Sequence, residues 1–268
     1  MFPINLIFDE GDDRDFSFST VKTAATLPSK VSYTKEMSPI KSQKTLGSCV
    51  GFATAAMKEW QEQKEHLKEV ADGKDYRRSK SNYDLSEQWI YYNCKKIDPW
   101  PNSQGTSIRC AMKVLSKIGV PCEAAWPYSD IKVGDPKRWA NLVAKWSIIG
   151  SYWRVKGVNG LKTVLAENGP TVVGMHCFNG ILSVGKNGKV PMPAENERAI
   201  GGHAVCVTAY NDKFRQIVFK NSWGPAWGKN GYGVVSYDYA EKYFVDIWAA
   251  KDIAVTKEML KGSSTLTK

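Results

Sequence analysis

The sequence of 268 residues has no long hydrophobic run and only three histidines. No apolar stretch approaches the roughly 18–20 residues that a membrane-spanning helix requires, so we expect no membrane partner. The histidines and cysteines form no pair with the spacing of metal ligands. We therefore expect no metal site, and we expect no cofactor.

The first ten residues have no basic region and turn acidic at Asp9 and Glu10, which is unlike a secretory leader. We expect a cytoplasmic or leaderless protein, or one from which a leader has been removed. Six cysteines stand at positions 49, 94, 110, 122, 177 and 206. If Cys49 is a free nucleophile, an odd number remains, which fits a reducing compartment. A disulfide bridge between Cys110 and Cys122 is an alternative that the sequence leaves open.

Lysine and arginine outnumber aspartate and glutamate by 37 to 27, which gives a net charge of +10. These basic residues spread along the chain, so the charge indicates solubility and a mild attraction to acidic partners. No nucleic-acid-reading motif accompanies the charge, and we expect no nucleic-acid partner. A hydrophobic content of 43% and this length fit one large or two small globular domains.

Helical and strand-like patterns occupy different halves of the sequence. Apolar residues at helical spacing follow position 49, and later apolar runs are short and strand-like. The predicted helices are 50–70, 85–95, 107–118 and 159–168, and the predicted strands are 145–155, 171–176, 203–210, 216–221 and 231–236. This order predicts an α+β fold with a helical half before a β-rich half.

Four polar residues stand in contexts that suit acyl transfer. Cys49 directly precedes a helical pattern, and the positive end of a helix dipole lowers the pKa of a thiol. His203 lies in a predicted strand, Asn221 ends another, and Gln43 precedes Cys49 by six residues. A thiol nucleophile, an imidazole base and an amide that orients the base indicate a cysteine hydrolase.

The run from Leu46 to Cys49 (LGSC) and the run from Lys220 to Tyr232 (KNSWGPAWGKNGY) resemble the papain-like cysteine peptidases. The similarity is closer to the branch found in bacteria and some viruses, and it covers about residues 27–253. One departure is Val50, where papain and the cathepsins have an aromatic residue. The resemblance implies an endopeptidase that hydrolyses peptide or protein substrates, which we expect to act as a monomer.

This resemblance implies a two-lobed fold with the active-site cleft between the lobes. A helical left lobe would span about residues 27–130, and an antiparallel, β-barrel-like right lobe about residues 131–257. Residues 1–26 would form an N-terminal extension and residues 258–268 a C-terminal tail. We expect the extension to pack on the body as a strap, with partial occlusion of the cleft as the alternative.

The family also implies a role for each of the four polar residues. Cys49 and His203 would form a thiolate–imidazolium pair, and Asn221 would orient the imidazole. The Gln43 side chain and the backbone N–H of Cys49 would bind the oxyanion. The residues expected to contact substrate are Gly105, Gly174, Met175, Gly202, Ala204 and Trp223.

Three readings compete. An endopeptidase is the first, and an exopeptidase or non-peptide amidase on the same scaffold is the second. An inactive binding protein is the third, and the intact set of four polar residues argues against it.

The separation of Cys49 from His203 along the sequence exceeds the usual range for the family. This excess suggests an insertion, for which residues 185–198 are the candidate, and we expect this loop to form one wall of the cleft.

Overall fold

The computed structural model describes residues 2–12, residue 15, residues 27–72 and residues 83–253. Within these residues no helix has both the length and the apolar character to cross a membrane. The tail predicted at 258–268 and residues 73–82 lie outside the described residues.

Three helices build the helical lobe. The structure places them at α1 (Cys49–Ala71), α2 (Glu87–Ile97) and α3 (Ile108–Lys117). Ser86 and Ser107 begin α2 and α3, since each side-chain oxygen accepts a backbone N–H at the first turn. Ser48 precedes α1 without such a bond, so its hydroxyl is available for another contact.

The second half of the chain forms an antiparallel sheet with shorter helices on it. The described strands are β1 (Lys30–Ser32), β2 (Ile149–Val155), β3 (Thr171–Cys177), β4 (Gly201–Asn211), β5 (Gln216–Lys220), β6 (Tyr232–Ser236) and β7 (Phe244–Asp252). The remaining helices are α4 (Ala140–Ala144), α5 (Gly157–Asn168) and α6 (Tyr237–Tyr243). The strand order is β2-β7-β3-β4-β5-β6, with β1 on β4.

This sheet separates two hydrophobic cores. Successive side chains of a strand point to opposite faces, so Ala204 and Cys206 of β4 pack with α1, α2 and α3. Val205 and Val207 of the same strand pack on the other face, which α5 and α6 cover. The α+β, two-lobed expectation is confirmed, although β2 and β6 do not pair with each other and the sheet is not closed.

The main difference from the predicted elements is β7, which was not predicted. It pairs with β2 along one edge and with β3 along the other. Its two faces pack in the two cores, Trp248 and Ala250 in one and Ile247 and Ala249 in the other. Its centre is the continuous apolar run 247–250, which lacks the alternation that marks a half-exposed strand. The short elements β1, α4 and α6 were also not predicted.

All six cysteines are free thiols, so Cys110 and Cys122 do not form the disulfide bridge that the sequence left open. Five of the six side chains are buried, and Cys122 is partly exposed.

Replacing Trp248 by alanine should lower the free energy of unfolding by about 3–5 kcal/mol. The side chain is fully buried at the centre of β7, and its ring packs on Tyr152 with centroids 6.0 Å apart. Chemical denaturation measures the change. Val245→Ala on the same strand is the matched control, because Val245 is 40% exposed and its loss should cost little. Equal losses in the two variants would contradict the assigned core.

Candidate active site

Cys49 is the first residue of α1 and is fully buried. The chain reaches it through a compact loop at residues 43–48. In this loop the Leu46 N–H donates to the Gln43 carbonyl at 3.3 Å, and the Ser48 N–H donates to the Leu46 carbonyl at 2.8 Å. Lys44 adopts a left-handed φ of 51°, which sharpens the turn. The loop thus brings Gln43 back toward the start of α1.

His203 and Asn221 meet across the neighbouring strands β4 and β5. The Nε2 of His203 lies 2.8 Å from the Oδ1 of Asn221, and both side chains are buried. The same Oδ1 accepts the Ser222 N–H at 2.8 Å, which identifies it as the amide oxygen. An oxygen only accepts, so Nε2 carries the proton in the neutral ring. The Nδ1 of His203 has no hydrogen-bond partner among the described residues.

Trp223 covers this pair. Its ring stacks on the imidazole of His203 with centroids 4.5 Å apart, and its side chain is 5% exposed. The indole therefore keeps water away from the bond between His203 and Asn221, which strengthens that bond.

Gln43 is held on the segment that pairs with residues 222–224. Its backbone N–H donates to the Ser222 carbonyl at 2.8 Å, and the Gly224 N–H donates to the Lys41 carbonyl at 3.1 Å. Its side-chain Oε1 accepts from Ser222 Oγ at 2.6 Å, and its Nε2 donates to the Leu46 carbonyl at 2.9 Å. One Nε2 hydrogen is left for another acceptor.

A buried cluster of charges lies behind the two amides. The Nζ of Lys41 is 3.1 Å from Glu59 and 2.6 Å from Glu87, and both carboxylates are almost fully buried. The Nζ of Lys220 donates to Ser38 Oγ at 2.7 Å, and Ser38 Oγ donates to Glu59. Glu59 of α1 thus links the segments that carry Gln43 and Asn221.

The N-terminal residues 2–9 lie along the surface that contains Cys49. A methyl group at Gly47, two residues before Cys49, would lie 3.0 Å from the Asn5 side chain. The backbone N–H groups of Asn5 and Ala204 act to lower the pKa of the Cys49 thiol. The Leu6 N–H donates to the Gly202 carbonyl at 2.8 Å, and the Ile7 N–H donates to the Thr106 carbonyl at 3.1 Å. The segment is therefore bound by main-chain hydrogen bonds on both sides of the cleft.

Three glycines expected to contact substrate line the path of this segment. A methyl group at Gly105 would overlap the carbonyl oxygen of Asn5. A methyl group at Gly174 would come within 2.6 Å of the Leu6 side chain, and one at Gly202 within 2.7 Å of the Leu6 carbonyl. Gly105 and Gly202 need glycine because the backbone of residues 5 and 6 passes so close, whereas at Gly174 the near atom is the end of the Leu6 side chain.

Aromatic rings of the segment contact both ends of the cleft. Phe2 stacks on Trp223, with centroids 4.6 Å apart and planes 8° apart. Phe8 packs on His176 at 4.5 Å. Leu6, between them, is only 6% exposed.

The other two residues expected to contact substrate lie differently. Met175 is fully buried in the core on the far side of the sheet, opposite in β3 to Gly174. Ala204 is buried on the helical side, and its backbone N–H acts to lower the pKa of Cys49. Neither residue has a described contact with the N-terminal segment.

A charged anchor holds the far end of the segment. The Asp9 carboxylate accepts the Arg109 N–H at 2.9 Å, and the Asp9 N–H donates to Asp246 at 2.8 Å. Arg154 pairs with Asp246 and donates to the Asp9 carbonyl at 3.1 Å. Arg109 also donates twice to Asp15, at 3.0 and 2.6 Å. Sequence reasoning missed this anchor, because its members stand far apart in the chain and in no motif.

One acidic group could in principle bind a cation. Glu62, Glu65 and Asp252 lie close together, and all three are at least partly buried. However, the Nζ of Lys58 lies 2.7 Å from Glu62 and pairs with Asp252. This lysine already balances two of the three carboxylates, so the group forms a buried ion network.

Comparisons with known proteins agree with this geometry. The family model described as papain family cysteine protease matches residues 27–247. The chain belongs to the papain family of cysteine proteases. An uncharacterized peptidase C1-like protein of Acanthamoeba polyphaga mimivirus is 31% identical over 79% of this chain and 69% of its own length. Cysteine proteinase 3 of Entamoeba histolytica is 28% identical over 82% of this chain and 67% of its own length. Xylellain, a cysteine protease from Xylella fastidiosa, is 30% identical, with a TM-score of 0.80 over 94% of this chain and 97% of its own.

Burial sets the charge states of Cys49 and His203 in this member of the papain family. Enclosure of the thiol raises the pKa of Cys49 from 9.0 to about 11, although nearby N–H groups oppose the shift. Enclosure of the imidazole lowers the pKa of His203 to about 4, and the bond to Asn221 only partly offsets this. Near neutral pH both groups are therefore uncharged while the cleft is covered.

In the intact chain, alkylation of Cys49 by iodoacetamide should stay slow at neutral pH and accelerate only as pH approaches about 11. A raised thiol pKa keeps the thiolate scarce at lower pH, and the thiolate is the reactive form. Mass spectrometry of the Cys49 peptide, after timed exposure between pH 5 and 11, measures the rate.

The comparison variant is Leu6→Asp, which places an uncompensated carboxylate in a buried site and should displace the segment. Its alkylation should begin at lower pH, because water regains access to Cys49. Gly11→Ala is the matched control, since no atom lies within 4 Å of the added methyl group. The same pH profile in all three chains would contradict the link between the segment and the pKa of Cys49.

Proposed function

We propose that the chain is a cysteine endopeptidase that attacks peptide bonds through Cys49, with His203 as acid and base. The observation that carries this proposal is the 2.8 Å bond between His203 Nε2 and Asn221 Oδ1. It fixes the tautomer and leaves Nδ1 as the ring nitrogen available to the thiol. The positions of Cys49 at a helix start and of Gln43 on the paired segment support the same assignment.

The reaction follows from these positions. The thiol proton moves to Nδ1 of His203, and the Cys49 sulfur attacks the carbonyl carbon of the substrate. The electron pair of the carbonyl bond moves to its oxygen, which accepts hydrogen bonds from Gln43 Nε2 and the Cys49 N–H. The bond from carbon to nitrogen then breaks, and the amine leaves with the proton from Nδ1. Water, deprotonated by His203, attacks the resulting thioester, releases the acid and restores the thiol.

An endopeptidase is favoured over an exopeptidase by the course of the N-terminal segment. Residues 2–9 extend past Cys49 in both directions, from Phe2 on Trp223 to Phe8 on His176. A cleft that holds a continuous chain on both sides of the nucleophile can hold the interior of a substrate. An exopeptidase would need one of these sides to be blocked.

We further propose that residues 2–9 keep the enzyme latent in this conformation. The backbone of residues 5 and 6 passes against Gly105 and Gly202, and the Asn5 N–H acts on the Cys49 thiol. Among the described hydrogen bonds, the Gln43 Nε2 donates to the Leu46 carbonyl and to no carbonyl of residues 2–9. Of the two expectations for the N-terminal extension, this proposal takes up the alternative, occlusion of the cleft, for residues 2–9.

All the groups of the proposed site come from one chain, which supports action as a monomer. The same reasoning needs only a peptide or protein substrate, with no nucleic-acid or membrane partner.

Leu6→Asp should raise the rate of hydrolysis of fluorescein-labelled casein at least about tenfold over the unaltered chain. A buried carboxylate without a partner costs several kcal/mol, whereas tenfold needs only about 1.4 kcal/mol. Mass spectrometry of the products should show cuts inside the casein sequence. Release of terminal residues alone would favour the exopeptidase reading.

Gly11→Ala controls for a change in the segment that leaves its contacts intact, and its rate should match the unaltered chain. Leu6→Asp combined with Cys49→Ala should lose at least about 10³-fold in rate. Retained hydrolysis in this double variant would remove Cys49 as the nucleophile. Equal rates in Leu6→Asp and Gly11→Ala would overturn the proposed latency.

A further inference from the structure

The loop at residues 43–48 must keep two hydrogen-bond donors at a fixed separation. Under the proposed function these donors are the side chain of Gln43 at its start and the backbone N–H of Cys49 just after its end. The tip of this loop, at Lys44 and Thr45, is exposed to solvent. A small displacement of either donor would weaken binding of the oxyanion, since this interaction depends on preorganised geometry.

Tyr128 connects the two ends of the loop through one oxygen atom. Its hydroxyl donates to the Gln43 carbonyl at 2.7 Å and lies 2.7 Å from the Ser48 hydroxyl. A tyrosine hydroxyl has one hydrogen, and Gln43 takes it, so Ser48 is the donor in the second bond. The Ser48 hydroxyl also lies 3.4 Å from the Leu46 carbonyl, a longer and weaker contact than the 2.7 Å bond to Tyr128. The result is a chain of hydrogen bonds from Ser48 through Tyr128 to Gln43.

Ser48 is available for this contact because it does not cap α1. It stands directly before Cys49, while Gln43 is the residue whose side chain would bind the oxyanion. The Tyr128 hydroxyl therefore spans the loop beside both proposed donors.

The tyrosine itself is held firmly. Its backbone N–H donates to Glu123 at 2.6 Å, and its ring meets the ring of Phe52 edge-on at 4.7 Å. The next residue, Ser129, donates its N–H to Gln88 at 2.9 Å. These contacts tie the segment at 128–130 to α1, to α2 and to the turn that precedes it.

A second residue of this segment holds the exposed tip of the loop. Asp130 accepts from the Thr45 hydroxyl at 2.7 Å and from the Thr45 N–H at 3.2 Å. Lys44 lies 3.5 Å from the same carboxylate. On the opposite side, Ser222 holds the Gln43 side chain at 2.6 Å. Gln43 is thus fixed from both lobes.

We propose that Tyr128 is a positioning residue for the oxyanion site, and that its hydroxyl sets the separation between Gln43 and the Cys49 N–H. This inference rests on the proposed function, because it assumes that these two groups bind the oxyanion. Tyr128 acts through Gln43 and Ser48 and takes no part in proton transfer.

The test is Tyr128→Phe in the full chain that also carries Leu6→Asp, which serves as the parent. The kcat for a peptide amide should fall about tenfold, with KM changed by less than about twofold, because the oxyanion forms only after substrate binding. The inhibition constant of a peptide aldehyde should rise by a similar factor, since its adduct carries the same oxygen. Loss of one complete oxyanion donor lowers kcat by about 10²–10³-fold, so displacement of a donor that remains present should lower kcat by less.

Alkylation by iodoacetamide separates this role from a structural one. In that reaction the Cys49 sulfur displaces iodide from a CH2 carbon, and no oxyanion forms. The alkylation rate of Tyr128→Phe should therefore stay within about twofold of the parent. Tyr33→Phe is the matched control: its hydroxyl donates to the Leu165 carbonyl at 2.9 Å, away from the site, and kcat should not change.

Ser48→Ala removes the other link of the same hydrogen-bond chain and keeps the test decisive should Tyr128→Phe not fold. It should also lower kcat. The fold-loss of kcat in the double variant should be clearly smaller than the product of the two single fold-losses, because both substitutions break the same hydrogen-bond chain. A kcat for Tyr128→Phe equal to that of Tyr33→Phe would overturn the inference. A Tyr128→Phe variant that loses alkylation and hydrolysis by the same factor would also overturn the inference. A parent that is alkylated at Cys49 but hydrolyses no peptide would contradict the proposed function itself.

Discussion

The antiparallel pairing of residues 41–43 with residues 222–224 is the contact on which the rest of the site depends. It joins the two lobes at the point where one carries Gln43 and the other Asn221. Behind it, Glu59 of α1 pairs with Lys41 and accepts a hydrogen bond from the Ser38 hydroxyl. The same hydroxyl accepts a hydrogen bond from Lys220, so both lysines connect to Glu59. Removing one partner from such a buried network leaves an uncompensated charge, which strongly penalises a relative shift of the segments. The helix that begins at Cys49 is thereby locked to both amides.

The proposed latency rests on the same burial. A thiolate and an imidazolium need water or a compensating charge, and the side chains of Cys49 and His203 are both buried in this conformation. Burial raises the pKa of Cys49 and lowers the pKa of His203, so one cause disfavours both charged forms. Under the proposal, displacement of residues 2–9 and charging of the reactive pair occur together. The anchor at Asp9 sets how strongly the segment stays in place.

Local signals predicted the parts of the fold that local chemistry decides. Apolar spacing placed α2 and α3 to within a few residues, and the motifs around Cys49 and Asn221 predicted the residues that the fold brings together. Contacts between distant residues were not predictable in this way. β7 shows no alternation, because both its faces are buried. Asp246 and Asp9 are 237 positions apart in the sequence, so no local pattern indicates that they meet. Met175 was placed at the substrate by resemblance, whereas the pleat of β3 turns it into the core.

The central claim is that an assembled cysteine peptidase site lies beneath residues 2–9. Labelling by an epoxysuccinyl peptide inhibitor, followed over time by intact mass and peptide mapping, tests it most directly. The account predicts one adduct, on Cys49 alone, that forms slowly in the unaltered chain and rapidly once the segment is displaced. Rapid labelling of the unaltered chain would contradict the covered cleft. Labelling at another cysteine, or none after displacement of the segment from a folded chain, would contradict the assignment of the site.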